Sequence, residues 1–135
     1  MSSWSGGALV EIAEPECWEL LRSHRVGRVA YDDGTGPHIL PLNYQVTDEN
    51  RIRFRTTPHS SLGLRVKDRR VAFEVDEVDE ERHAGWSVLV RGLASLVDID
   101  LRPTSEGPAA WPRGARPLVV EIEAELVSGR RLMEP

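Results

Sequence analysis

The sequence predicts a mainly β protein, a small closed or nearly closed antiparallel barrel, and three observations carry that prediction. Six segments alternate in character with the period of two that strands require. Short turns join most of them, and only two stretches, one at the front and one in the middle, carry helical signals. The 135 residues suit one domain with a single core, expected over residues 11–135 after a Ser- and Gly-rich flexible leader over residues 1–10.

The first element expected is a helix from about Glu14 to His24. Pro15 suits its first turn, Glu16 and Glu19 its positive end, and Cys17, Leu20, Leu21 and His24 share one face. Cys17 is thereby a core residue. Val26 to Tyr31 reads as a short apolar strand, and Asp32-Asp33-Gly34-Thr35-Gly36-Pro37 as the turn of a hairpin whose second strand runs from His38 to Val46. There Leu40, Leu42, Tyr44 and Val46 fall on one face and Ile39, Pro41, Asn43 and Gln45 on the other. Pro41 removes a ladder donor, which places this strand at an edge, a bulge or a break and leaves backbone groups open to a ligand.

After the turn Asp48-Glu49-Asn50, the segment Arg51 to Thr56 sets Arg51, Arg53 and Arg55 on one face and Ile52 and Phe54 on the other. Thr56, Thr57, Ser60 and Ser61 then gather four hydroxyls where a short internal helix of Leu62, Leu64, Arg65, Val66 and Lys67 would begin. A helix start offers unpaired N–H groups and a partial positive charge, so with Arg55 beside it this segment makes a seat for a phosphate. The same residues also fit a plain capped helix after an edge strand.

Arg69 to Val75 reads as the next strand, and the acidic run from Asp76 to Glu81 as a solvated loop. Gly85 to Val97 is the longest strand. Both of its faces are apolar, which calls for cover from the core on one side and from a curled sheet or a second subunit on the other. An irregular Pro-, Gly- and Arg-rich stretch over residues 102–117 carries Trp111. The last strand, Leu118 to Val127, alternates an apolar face with Glu121, Glu123 and Glu125, read as a solvated face.

Composition excludes several functions. Net charge is −5 with no long Lys/Arg block, which argues against a nucleic-acid partner. No apolar stretch reaches membrane-spanning length, and Cys17 is the only cysteine, so the expected location is the reducing cytoplasm. His24, His38, His59 and His83 lack metal-ligand spacing, no nucleophile elbow occurs, and Gly34-Thr35-Gly36 lies between strands as a turn. No metal site is expected and no catalytic acid or base is assigned, although His38 and His59 are the nearest titratable groups. What remains is the anion seat, the Pro41 strand and a supply of four tryptophans. Trp86 and Trp111 fit the walls of a planar ligand, as they also fit core or interface packing. A phosphorylated flat cofactor such as a flavin would use all three features.

In order and spacing, several segments together resemble the pyridoxamine 5'-phosphate oxidase-like flavin-binding proteins, particularly a small bacterial branch with nitroimidazole-reductase-like members. They are Val26-Gly27-Arg28-Val29-Ala30, Pro41-Leu42-Asn43-Tyr44, Ile52-Arg53-Phe54-Arg55-Thr56, Val71-Ala72-Phe73-Glu74-Val75-Asp76, Gly85-Trp86-Ser87-Val88-Leu89-Val90-Arg91-Gly92, Trp111-Pro112 and Ser128-Gly129-Arg130-Arg131. The resemblance implies a six-stranded split β-barrel that forms a homodimer, with flavin mononucleotide (FMN) in clefts between the subunits and a small molecule as substrate. It also implies that Leu40, Pro41, Leu42 and Asn43 run beside the flavin ring. Arg55, Thr56, Thr57, Ser60 and Ser61 hold the phosphate, and Trp86 or Trp111 approaches from a neighbouring element or from the partner subunit. Where such proteins usually carry Lys or Arg in the turn after the phosphate strand, this chain has Ser60-Ser61-Leu62. Arg55, Arg65 or Lys67 would then supply the charge, or the site would take a deazaflavin cofactor instead.

Overall fold

A computed structural model describes residues 8–56, 69–97 and 118–133. The chain runs β1 (Ala8–Ile12), α1 (Glu14–Arg22), β2 (Val26–Asp32), β3 (Pro37–Asn43), β4 (Gln45–Val46), β5 (Arg51–Thr56), β6 (Arg69–Asp79), β7 (Ala84–Val97) and β8 (Leu118–Met133). All pairings are antiparallel, in the order β3-β2-β6-β7-β8-β5-β4, with β1 added on β8. The two ends of that order, β3 and β4, are consecutive in the chain and separated by Tyr44 alone. The sheet therefore curls back on itself as a split barrel.

Six expected strands become eight for two reasons. The strand expected over His38–Val46 breaks at Tyr44, its first part pairing with β2 and its second with β5. Buried Tyr44 fixes the break: its N–H donates to Arg25 O at 3.0 Å, its hydroxyl donates to Leu21 O at the end of α1, and its ring meets Phe73 edge-on. Burial pushes the Tyr44 phenol well above its ordinary range. In addition, Ala8, Leu9 and Val10, expected within the leader, pair with Met133, Leu132 and Arg131. The expected internal helix lies outside the described residues. Asp76 to Asp79, expected in a loop, instead extend β6 along β7, and the turn beyond them contains His83 at φ 52°.

The inner face is apolar. Val29, Ile52, Phe54, Phe73, Val75, Val88, Val90, Val120 and Ile122 fill it, and α1 closes one end with Cys17, Trp18 and Leu21. Burial raises the Cys17 thiol above its usual value, as does the charge of Glu14 and Glu16. Two glycines are demanded by close approach. A Cβ on Gly27 would lie 2.4 Å from the Phe73 ring, and one on Gly92 would lie 2.1 Å from the carbonyl oxygen of Glu123. Gly92 adjoins the shift in β7–β8 register that leaves Glu125 as an extra residue.

Candidate functional site

The outer face of the barrel is charged where β5 crosses it. Alternation buries Ile52 and Phe54 and turns Arg51, Arg53 and Arg55 outward. The β5–β8 register sets Arg51 opposite Glu123, Arg53 opposite Glu121, and Arg55 opposite Val119. Two of the three arginines are engaged by one carboxylate: Arg51 Nη1 lies 2.9 Å from Glu121 Oε1 and Arg53 Nε lies 2.7 Å from Oε2. Glu121 is only 6% exposed, so it is no part of a solvated face. Burial alone would raise its pKa, but the hydrogen bonds and charges of Arg53 and Arg51 outweigh that and hold it below the usual carboxylate value. Arg55 faces no carboxylate across the strand and makes no ion pair or hydrogen bond with another described residue.

Arg55 stands beside the break in the barrel. Gln45 pairs with Arg53, so continuing that register by two residues would bring Asn43 opposite Arg55, but at Asn43 the chain has already turned to pair with β2. Asn43 and Pro41 share the outer face with Arg55, and β3 approaches β5 across this seam. Pro41 pairs with Arg28 on one side only, so its missing donor interrupts no ladder. The structure thus gathers Pro41, Asn43 and Arg55. Leu40, Leu42, Thr56 and Trp86 have the inner parity, and Leu42 and Thr56 are buried. Trp86 meets the ring of His24 edge-on at 4.9 Å, on the opposite side of the sheet from Arg55. Thr57, Ser60, Ser61, Arg65 and Trp111 lie outside the described residues, as does His59.

A second charged group on the outer face was not foreseen. Arg28 of β2 lies 3.1 Å from Glu74 and 3.5 Å from Asp76, neighbours on one face of β6. Here two carboxylates share one guanidinium. Burial, then a hydrogen bond and the charge from Asp76, push Glu74 up to about 7 despite Arg28. The sequence signal for it is the strand period, which continues from Glu74 to Asp76 into the acidic run expected as a loop. Beside this pair lies a cavity of about 520 Å³, lined among others by Ala30, Ala72, Arg70, Arg91 and Leu126. His38 Nε2 sits 2.9 Å from Asp33, with its ring stacked on Tyr31. Asp33 is held down at about 2, chiefly by hydrogen bonds from Thr35. No group of His, Cys, Asp and Glu able to hold a metal occurs among the described residues, and no described helix is long and apolar enough to cross a membrane.

A curled antiparallel sheet broken at one residue, capped by a single helix and bearing a basic strand on its outside, defines a split-barrel protein. Residues 13–131 match the family model described as pyridoxamine 5'-phosphate oxidase, and the chain belongs to that family. It is 35% identical to an uncharacterized protein of Mycobacterium tuberculosis, over 98% of this chain and 91% of that one. Among solved structures, it is similar to an FAD binding protein from Mycobacterium smegmatis, with a TM-score of 0.71 and 31% identity over 92% of this chain and 98% of the other. An FAD-binding protein from Mesorhizobium loti, at 24% identity, shares the fold with a TM-score of 0.73 over 96% of this chain and all of its own.

Proposed function

We propose that the protein is a flavin-dependent oxidoreductase that holds FMN between two copies of the barrel and exchanges electrons with a small molecule. The observation that carries this reading is Arg55, a guanidinium beside the seam at the end of β5 that makes no ion pair with any described residue. Family membership and the FAD-binding relative at 31% identity support it. Arg55 would hold the phosphate together with the hydroxyls of Thr57, Ser60 and Ser61, with Arg65 as a further cation. Pro41 and Asn43 would flank the ring along the seam. Bound flavin supplies hydride or single-electron chemistry, and this chain's part is to seat and orient it. The apolar outer face of β2, β3, β6, β7 and β8, where Ile39 is 70% and Leu126 51% exposed beside exposed Leu89, supports the dimeric reading.

Parallel titration with FMN, FAD and a deazaflavin tests the reading on the wild type and on Arg55→Ala. FMN is expected to bind most tightly, to weaken about 10- to 100-fold in Arg55→Ala, and to bleach when a reduced nicotinamide or deazaflavin donor is added. Protein whose spectrum and melting temperature ignore all three would end the reading. Preference for the deazaflavin would replace the cofactor, and a bound flavin that no donor reduces would leave a binding module without turnover.

A further inference from the structure

On the outer face, two strands side by side carry charge that is unbalanced in opposite senses. Glu74 and Asp76 of β6 share the single guanidinium of Arg28, leaving a negative surplus. Arg91 of β7 is exposed, lies opposite Ala72 on one side and Leu126 on the other, and makes no ion pair with any described residue. Glu74 in turn lies opposite Leu89. Ala72, Glu74, Leu89 and Arg91 therefore form a square on the surface, with anion and cation at diagonal corners and a small and a large apolar side chain at the other two. No ion pair within 4.0 Å joins these two charges within one protomer. The square nevertheless has the symmetry of a self-complementary patch.

We propose that a second copy of this chain docks here about a two-fold axis that lies in the contact plane along the Ala72–Leu89 diagonal of that square, setting Arg91 of each protomer against the partner's Glu74, with the partner's Asp76 beyond it. This rests on the dimeric reading above and specifies its geometry. The same rotation sets Leu89 against the partner's Leu89 and Ala72 against the partner's Ala72, so the large apolar side chains meet at one corner of the contact and the small ones at the other. Ala30, Ile39 and Leu126 lie in line with Ala72 and Arg91 and widen the apolar contact. Both charge surpluses vanish at one step, and each partner supplies what the other lacks.

The docking has a distinctive pH signature. In a lone protomer Glu74 holds its proton up to about 7. The charged group facing it from β2 is Arg28, that on its own strand is Asp76, and β7 presents uncharged Leu89 and Ser87 beside it with Arg91 at the diagonal corner. A guanidinium arriving from the partner favours the ionised carboxylate, so association releases protons and tightens as pH rises through 7. A face that simply buried the acidic pair would loosen instead.

Sedimentation equilibrium across pH 6 to 8 tests this on the wild type, Arg91→Glu, Glu74→Lys and the double variant. Each single reversal is expected to weaken the dimer at least about tenfold; Arg91→Glu, at an exposed position, is expected to leave the monomer's thermal melt near that of the wild type, and a melt of Glu74→Lys confirms that it is folded. The double variant is expected to recover to within a few-fold of the wild type, since the pair is restored with its sense exchanged. A wild-type dimer that ignores both reversals, gains nothing from their combination, or loosens with rising pH overturns this docking alone. A wild type that stays monomeric at high concentration overturns the dimer itself.

Discussion

Two ion triads on the outer face of this barrel are built from the same two side chains in inverse proportion. On β5 and β8 two guanidinia clamp one carboxylate, Arg51 and Arg53 on Glu121, whereas on β2 and β6 two carboxylates share one guanidinium, Glu74 and Asp76 on Arg28. Desolvation is the leading influence on both glutamates, yet Glu121 ends below the ordinary carboxylate value and Glu74 at about 7. Glu121 is also the more buried of the two, so burial does not decide the outcome; the ratio of charges does. One triad is a finished structural clamp that leaves Arg55 over, and the other is an unfinished pair that waits on a cation.

The sharpest test of this contrast is Glu121→Gln, which leaves two half-exposed guanidinia without their anion. A loss of about 2 to 3 kcal/mol is expected in urea unfolding at pH 7. Because the folded pKa of Glu121 is depressed, the stability it contributes is present above its unfolded value near 4.5 and is lost as pH falls through the folded one. The variant should therefore show a flatter acid limb. Glu74→Gln is expected to do the opposite. With a folded pKa raised from 4.5 to about 7, wild-type Glu74 costs stability as pH rises through that window. In protein dilute enough to keep protomers apart, the variant should gain about 1 kcal/mol at pH 8 and nothing at pH 4, the figure allowing for the screening of a side chain about one-third exposed. Equal responses of the two glutamines would break the comparison. The smallest effect is expected from Arg28→Ala, in which the Glu74 midpoint followed by carboxyl NMR moves up by about half a pH unit. A midpoint that stays put would mean that Arg28 has no part in it.

The strands were legible because their alternation is local. Arg51, Arg53 and Arg55 could be assigned to one face from spacing alone, and Pro41 could be assigned to an edge from its missing N–H. What could not be read depended on register between distant strands. Glu121, Glu123 and Glu125 look alike in the sequence, and only pairing with β5 makes the first a buried clamp and leaves Glu123 exposed. β1 was hidden because its partner lies at the far end of the chain. Trp86 escaped assignment to a face because both faces of its strand are apolar, and the side that α1 covers decides which is inside. The break at Tyr44 was invisible for a related reason: the alternation runs through it undisturbed while the hydrogen-bond partner changes from β2 to β5.

That break gives the cylinder an unusual kind of fastening. Elsewhere around the circumference neighbouring strands are held by hydrogen bonds that heat or denaturant can open one after another. At Tyr44 the gap is spanned by the main chain itself, and consecutive Cα atoms across a trans peptide stay about 3.8 Å apart whatever the solvent does. The seam between Asn43 and Gln45 is therefore tied by a covalent link that no loss of hydrogen bonds can undo.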